Sequence, residues 1–431
     1  MPAARRHGTA APAAAAAYGA ADLTSRERVR KALNFEKPDR VPIDLGAMRA
    51  SGIASRVYAG LKRHLGIDTP TKVFDPMQIL AAVEPDVLDA FHVDVVPLDV
   101  ALAGWQLAET ATGIRKRLFC GTEVYFAPTT NIVEDAGGDW LMCGADGTAF
   151  ARMPADGFYF DFIRPTMAGE IDPDKFQPPD SVPDEELAAV EKLARHLHDN
   201  TDKAVLGWGA ALSVVGLSAL LADNITQGSL DAWLAMLMVE KPAAHEMMGR
   251  YVDSIISRLK LYHQAVGDRV VAWGMASDDA GTQRGELLSP DLFAEMVKPH
   301  YKRLCEWIHA HTTWKTYLHS CGCVHDYIEH WIEAGVDILN PVQISAAKMD
   351  PPRLMEEFGG RIVFWGGGCE TQKVLPLGTA EEVRRHVREN IRVFGSGRGG
   401  YVFTQVHNIQ PNVPAENVEA MLAAAYEFGA C

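Results

Sequence analysis

The stretch Trp314-Lys315-Thr316-Tyr317-Leu318-His319-Ser320-Cys321-Gly322-Cys323, with Val363-Phe364-Trp365-Gly366-Gly367-Gly368-Cys369 further on, decides how this chain reads. In each piece a short apolar run ends in imidazole or thiol groups, as a buried strand that delivers side chains from its end would. Imidazole and thiolate are ligand types that zinc selects, and a catalytic zinc needs three protein ligands with a fourth position open. The pattern points to a zinc site made by His319, Cys321 and Cys369, with Cys323 as a substitute ligand. The spacing does not match a zinc finger or ribbon, where close ligand pairs recur at short intervals. Cysteine is also among the most buried residue types, so spacing alone leaves open a bland reading of buried thiols and a satisfied core histidine.

Outward from this stretch, strand-like runs alternate with helical ones. Val41, Val93, Val205, Val270, Lys315, Val336, Ile362 and Tyr401 mark eight strands. Helices are expected over 184–199, 289–311, 325–334, 350–358, 379–394 and about 414–428. Such alternation implies right-handed βαβ units and a parallel sheet, here an α/β fold closed as a TIM-type (β/α)8 barrel. A helical extension opens it at Thr24-Ser25, with Val29 and Leu33 facing inward and Pro38 as the stop. Asp75-Pro76-Met77 is read as the start of an amphipathic helix running through Phe91. Between about 113 and 162 the texture changes to short β-prone pieces punctuated by Gly137-Gly138 and Asp146-Gly147, an antiparallel insertion or lid. Residues 1–21 are Ala-rich and of low complexity, a disordered tail, which leaves 22–431 as one domain.

The formal charge of −15 argues against nucleic acid or an anionic membrane as the main partner. No apolar run reaches the length of a membrane span. Seven cysteines in a long chain fit reduced thiols better than a disulfide framework and point to the cytoplasm. The oligomeric state stays open, a homodimer included. The polar residues with most chemical scope follow strands: Asp278 and Asp279, His319 and Cys321, Asn340 and Gln343, Cys369, then His407, Asn408 and Gln410. In a barrel these positions converge on one face, where active sites lie.

At these residues the chain resembles the uroporphyrinogen decarboxylase superfamily, and its cobalamin-dependent methyltransferases more than its decarboxylases. The resemblance rests on Thr24-Ser25-Arg26-Glu27-Arg28, Pro38-Asp39-Arg40-Val41-Pro42, Asp75-Pro76-Met77-Gln78, Asp278-Asp279-Ala280-Gly281-Thr282-Gln283, Leu339-Asn340-Pro341-Val342-Gln343 and His407-Asn408-Ile409-Gln410. It implies a TIM-type barrel and a zinc held by a His-x-Cys pair and a distal Cys, which fall on His319, Cys321 and Cys369. The decarboxylases hold their substrate's carboxylates with an arginine-rich N-terminal segment. Here the matching residues 44–52 carry one arginine, Arg49, whereas binding several carboxylates needs several fixed guanidinium forks.

The expected function is therefore zinc-dependent transfer of a methyl group from a small methylated donor, with methoxylated aromatics implied by the resemblance, to a cob(I)alamin corrinoid. No Asp-x-His-x-x-Gly motif is present, so the corrinoid is expected on a partner protein. His407 is the candidate proton donor or orienter for the leaving group and Asp278 orients substrate or corrinoid. Asn340, Gln343, Asn408, Gln410 and Trp365 are candidate substrate contacts. Methyl transfer from methylcorrinoid to a thiol or tetrahydrofolate is the alternative among enzymes. A decarboxylase-like enzyme or a non-catalytic tetrapyrrole-binding module is the alternative outside that reaction.

Overall fold

The computed structural model describes residues 23–99, 113–163, 171–213, 230–395 and 399–430. The tail expected over 1–21 lies outside the described residues. A short antiparallel hairpin, β1 (Val73–Asp75) and β2 (Leu80–Ala81), comes first, and β3 (Val95–Leu98) opens the main sheet. Then come two small antiparallel sheets, β4 (Ile114–Arg117) with β5 (Glu123–Phe126), and β6 (Ile132–Glu134), β7 (Trp140–Cys143), β8 (Ala149–Met153) and β9 (Asp161–Phe162). The main sheet resumes with β10 (Ala204–Leu212), β11 (Ala272–Ser277), β12 (Lys315–His319), β13 (Ile338–Asn340), β14 (Val363–Trp365) and β15 (Tyr401–Val402).

The main sheet has seven strands in the order β15-β14-β13-β12-β11-β10-β3, with every pairing parallel. It is curled, as in a TIM-like barrel. The expected strand at Val41 contributes no ladder of its own. Instead Pro42 O accepts from Phe403 N at 2.8 Å, Asp44 N donates to Phe403 O at 2.8 Å, and Ile43 O accepts from Asp94 N at 2.8 Å. This segment thus touches both edges of the sheet. Pro42 lacks the N–H that a fuller ladder would use, and Gly46 bends the chain away with φ +86°.

Charge holds this seam. Asp94, fully buried, receives Arg28 Nη1 at 2.7 Å, Arg40 Nη1 at 2.7 Å and the backbone N–H of Ile43 at 2.8 Å. Arg28 also donates to Asp39 at 2.7 Å. The opening Arg26-Glu27-Arg28 and Pro38-Asp39-Arg40 blocks therefore pin the first helix, Ser25–Leu33, and the Val41–Asp44 segment to the start of β3. Thr24 and Glu27 form the capping box of that helix.

Two apolar layers follow from strand alternation. Val95, Leu206, Ala272, Tyr317, Ile338, Val363, Trp365 and Val402 fill the concave side of the sheet. Trp273, Leu318, Leu339 and Phe364 face the helices, against side chains such as Phe293, Trp314 and Trp331. The helix expected over 289–311 is two, Pro290–Met296 and Lys298–His311. Pro299 in the first turn of the second has no N–H to continue the earlier helix.

The expected helix from Asp75 to Phe91 is corrected. The structure has the β1–β2 hairpin there, with Val73 opposite Ala81, and a helix only over Pro85–Ala90. Asp75 Oδ1 accepts from Gln78 N at 2.8 Å and Ile79 sits at φ +50°, which turns the chain before a helix can form. The insertion is antiparallel as expected, with the further strands β6 and β9. Its own small core, which includes Leu118, Phe126, Trp140 and Met153, also takes in Val73 and Ile79 of the hairpin.

Candidate metal centre at the strand C-termini

Three donor side chains converge where the strands end. His319 is the last residue of β12, Cys321 follows two residues on, and His407 comes from the loop after β15. One ligand atom from each lies within 4.8 Å of the other two. His319 Nε2 and Cys321 Sγ are 3.5 Å apart, and the two imidazole centroids are 6.0 Å apart.

A second layer of amides sets the tautomers. Asn340, buried at the end of β13, donates its Nδ2–H to Trp365 O at 2.8 Å. Its Oδ1 therefore faces His319 Nδ1 at 2.7 Å as acceptor, which turns His319 Nε2 toward Cys321. His407 repeats the device: Asn408 donates to Gln78 Oε1 at 2.6 Å, and its Oδ1 accepts from His407 Nδ1 at 3.0 Å. Burial, and then the neighbouring His319, push the His407 pKa down, so its ring is neutral near neutral pH. Two imidazoles held through Nδ1, next to a thiol, suit a soft or borderline divalent ion such as zinc. Burial, and then Asp279, push the Cys321 thiol up, and it must lose its proton on ligation.

Because Asn340 orients one of these ligands from behind, Asn340→Ala is expected to weaken zinc binding by about 10- to 100-fold. Competition against a zinc chelator measures this. Unchanged affinity would show that the amide does not set the ring.

The residues singled out from the sequence fall into different places. Asp279 rather than Asp278 faces the donors: its Oδ1 accepts from Cys321 N at 3.2 Å and lies 3.7 Å from His319 Nε2. The Asp278 carboxylate is buried and accepts from Tyr301 OH at 2.7 Å, on the helix Lys298–His311. Cys369 is buried outside the three-residue group, its Sγ 3.8 Å from Glu370 O, and burial pushes its thiol up. Cys323 Sγ lies 3.7 Å from Glu286 Oε1. Gln343 accepts from Gly322 N at 2.8 Å and fixes the turn after Cys321. Gly322 has φ +89°, and a Cβ there would stand 2.4 Å from Gly281 O, so this turn needs glycine.

The group opens onto a cavity of about 700 Å³ whose lining includes Met48, Arg49, Trp208, Ser277, His319 and His407. A second cavity of about 280 Å³, with Gln343, Asn408 and Gln410 on its wall, shares His407 with the first. Trp365 does not line either; it is buried beneath the first, donating Nε1–H to Asp44 Oδ2 at 2.8 Å. Sequence reasoning did not single out Trp208, Gln78 or Arg258 for this cavity, because each comes from a segment without a strand-end ligand pattern.

Burial pushes the Asp44 carboxyl up to about 6, although Trp365 and Ala47 N donate to it. An unfolded aspartate titrates near 4. The folded chain therefore keeps a proton that the unfolded chain releases, so this residue's stabilisation is full below about pH 4 and lost as pH rises through about 6. The difference is about 3 kcal/mol. Asp44→Asn should gain on the parent by roughly that much between pH 4 and pH 7 in denaturant unfolding. A difference independent of pH would place the charge on Asp44 in the folded state throughout.

The fold and the site define a curled parallel α/β sheet with metal-ligand residues gathered at the carboxyl ends of its strands. The comparisons bear on the fold and the family. The uroporphyrinogen decarboxylase (URO-D) family matches over residues 159–428, more than half of the chain, and the chain belongs to that family. A uroporphyrinogen decarboxylase of Schizosaccharomyces pombe is 23% identical over 199 residues, which span 43% of this chain and 52% of the relative. The chain thus matches about half the length of that relative. Among solved structures, a methyltransferase from Methanosarcina mazei superposes with a TM-score of 0.51 at 17% identity, covering 94% of this chain and 99% of the other. That likeness supports the fold. No helix among the described residues is long and apolar enough to cross a membrane.

Proposed function

We propose that this chain is a zinc-dependent methyltransferase that passes a methyl group from a small methylated donor to a corrinoid carried by a partner protein in the cytoplasm. The observation that carries the proposal is the set His319, Cys321 and His407, gathered within 4.8 Å beside a cavity of about 700 Å³. The fold likeness to a protein named a methyltransferase supports the same reading. We read the whole as an eight-stranded barrel whose Val41–Asp44 strand is reduced to single bonds at the seam.

In this proposal His319, Cys321 and His407 would hold the zinc, and Cys369, the third ligand expected from the strand-end pattern and the resemblance, stands aside. Bound zinc supplies Lewis-acid polarisation of the donor's oxygen or sulfur. Asn340 and Asn408 keep both imidazoles in the ligating tautomer, and Gln343 holds the Cys321 turn. Trp208 and Met48 provide apolar wall for the donor and restrict water. Decarboxylation of a poly-carboxylate is supported less, because Arg49 is held by Asp75 at 2.6 Å and Asp99 at 3.1 Å.

The test is purified, zinc-loaded protein with cob(I)alamin and a panel of methyl aryl ethers and methylated thiols or amines, followed by the absorbance change on cobalt methylation. Methylation that requires both protein and donor supports the proposal. Methylcobalamin consumed by a thiol, with no donor active in the forward direction, would favour the reverse half-reaction. Release of carbon dioxide from a carboxylated tetrapyrrole would overturn both.

A further inference from the structure

We infer that the substrate carries a carboxylate, or an equivalent planar anion, recognised by Arg258; this rests on the proposed methyl-donor site and narrows its substrate class. Arg258 lies on the long helix Lys241–Val266, in line with Tyr251, Ile255 and Tyr262, at spacings of three and four residues. That stripe is the inward face of the helix, where Tyr251, Ile255 and Tyr262 are buried. A guanidinium there is out of pattern, because arginine is seldom placed among core residues unless it is paired.

Arg258 lines the same cavity as His319 and His407. Its Nε–H is buried and meets no acceptor among the described residues. A buried donor without an acceptor is costly, and more so on a charged group. The cavity's other arginine is different, since Arg49 already has Asp75 and Asp99 as partners. The molecule as a whole carries a formal charge of −15, so an unmatched guanidinium in this cavity is not part of a general basic surface.

A carboxylate would take the two terminal N–H groups side by side, the bidentate geometry that arginine offers and lysine does not. Trp208 and Tyr251 lie on the wall of the same cavity and suit a flat ring between the two ends. The ligand that fits is thus an aromatic acid bearing a methylated heteroatom, its carboxylate on Arg258 and its methyl group toward the His319, Cys321 and His407 cluster.

The test is calorimetric binding of 3-methoxybenzoate and 3-methoxybenzamide to the full chain, with Arg258→Gln and Arg258→Lys, and zinc measured on the same samples. The acid should bind at least about tenfold more tightly than the amide. Arg258→Gln should erase that preference at unchanged zinc content, and Arg258→Lys should keep part of it. Failure of the acid to bind, equal binding of acid and amide, or a preference that survives in Arg258→Gln overturns the inference. An acid preference in protein that takes up no zinc would sink the metal reading and leave this one standing.

Discussion

Replacing His319 with alanine is expected to empty the zinc site and lower methyl transfer by at least about a thousandfold. His319 closes β12, and its Nε2 faces Cys321 at 3.5 Å. Removing it leaves a thiol and one imidazole, too few to hold a catalytic zinc with an open position. A metal that polarises the donor lowers the barrier by several kcal/mol, and about 4 kcal/mol corresponds to a thousandfold in rate. The fold should survive, because the orphaned Asn340 Oδ1 costs only about 1–3 kcal/mol. Zinc per chain and initial rate, read on a variant with an unchanged circular dichroism spectrum, check this. Full activity in a zinc-free variant would remove the metal from the mechanism.

The second large effect concerns the seam of the sheet. Asp94→Ala should destabilise the fold by about 3–5 kcal/mol, the range for breaking a buried ion pair from one side. Asp94 is buried between Arg28 and Arg40 and also accepts from Ile43 N. Its loss leaves two guanidinium groups facing each other, one of them almost fully covered, and removes one of the two bonds between Ile43 and Asp94, the backbone bond from Asp94 N remaining. Urea unfolding measures the effect. A loss under about 1 kcal/mol would mean that water replaces the carboxylate and that the pairing is superficial.

Much of the sheet was legible because parallel strands covered on both faces read as unbroken apolar runs, as Ala204–Gly207 and Ile362–Trp365 do. The strand at Val41 was legible as a position but not as a ladder, since one proline decides how many bonds it makes. The stretch from Asp75 misled because its apolar spacing suits a helix, while the left-handed Ile79 and the pairing of Val73 with Ala81 are tertiary facts.

At the site, the rule that chemistry follows strand ends brought in His319, Cys321, Asn340 and His407. It took Asp278 where Asp279 faces the donors, because neighbouring residues point to opposite sides and only the register of Ser277 against His319 decides which side faces the mouth. The strand-end pattern put Cys369 with the His-x-Cys pair, whereas the structure gathers His407 there; both follow strands of the same sheet. Arg258 left one trace, a charge in the apolar stripe of its helix.

The most direct test of the account is zinc stoichiometry, by mass spectrometry of the metal, in His407→Ala and Cys369→Ser beside the parent chain. The account predicts about one zinc per chain in the parent and in Cys369→Ser, and a large loss in His407→Ala. Zinc retained without His407 and lost without Cys369 would contradict it.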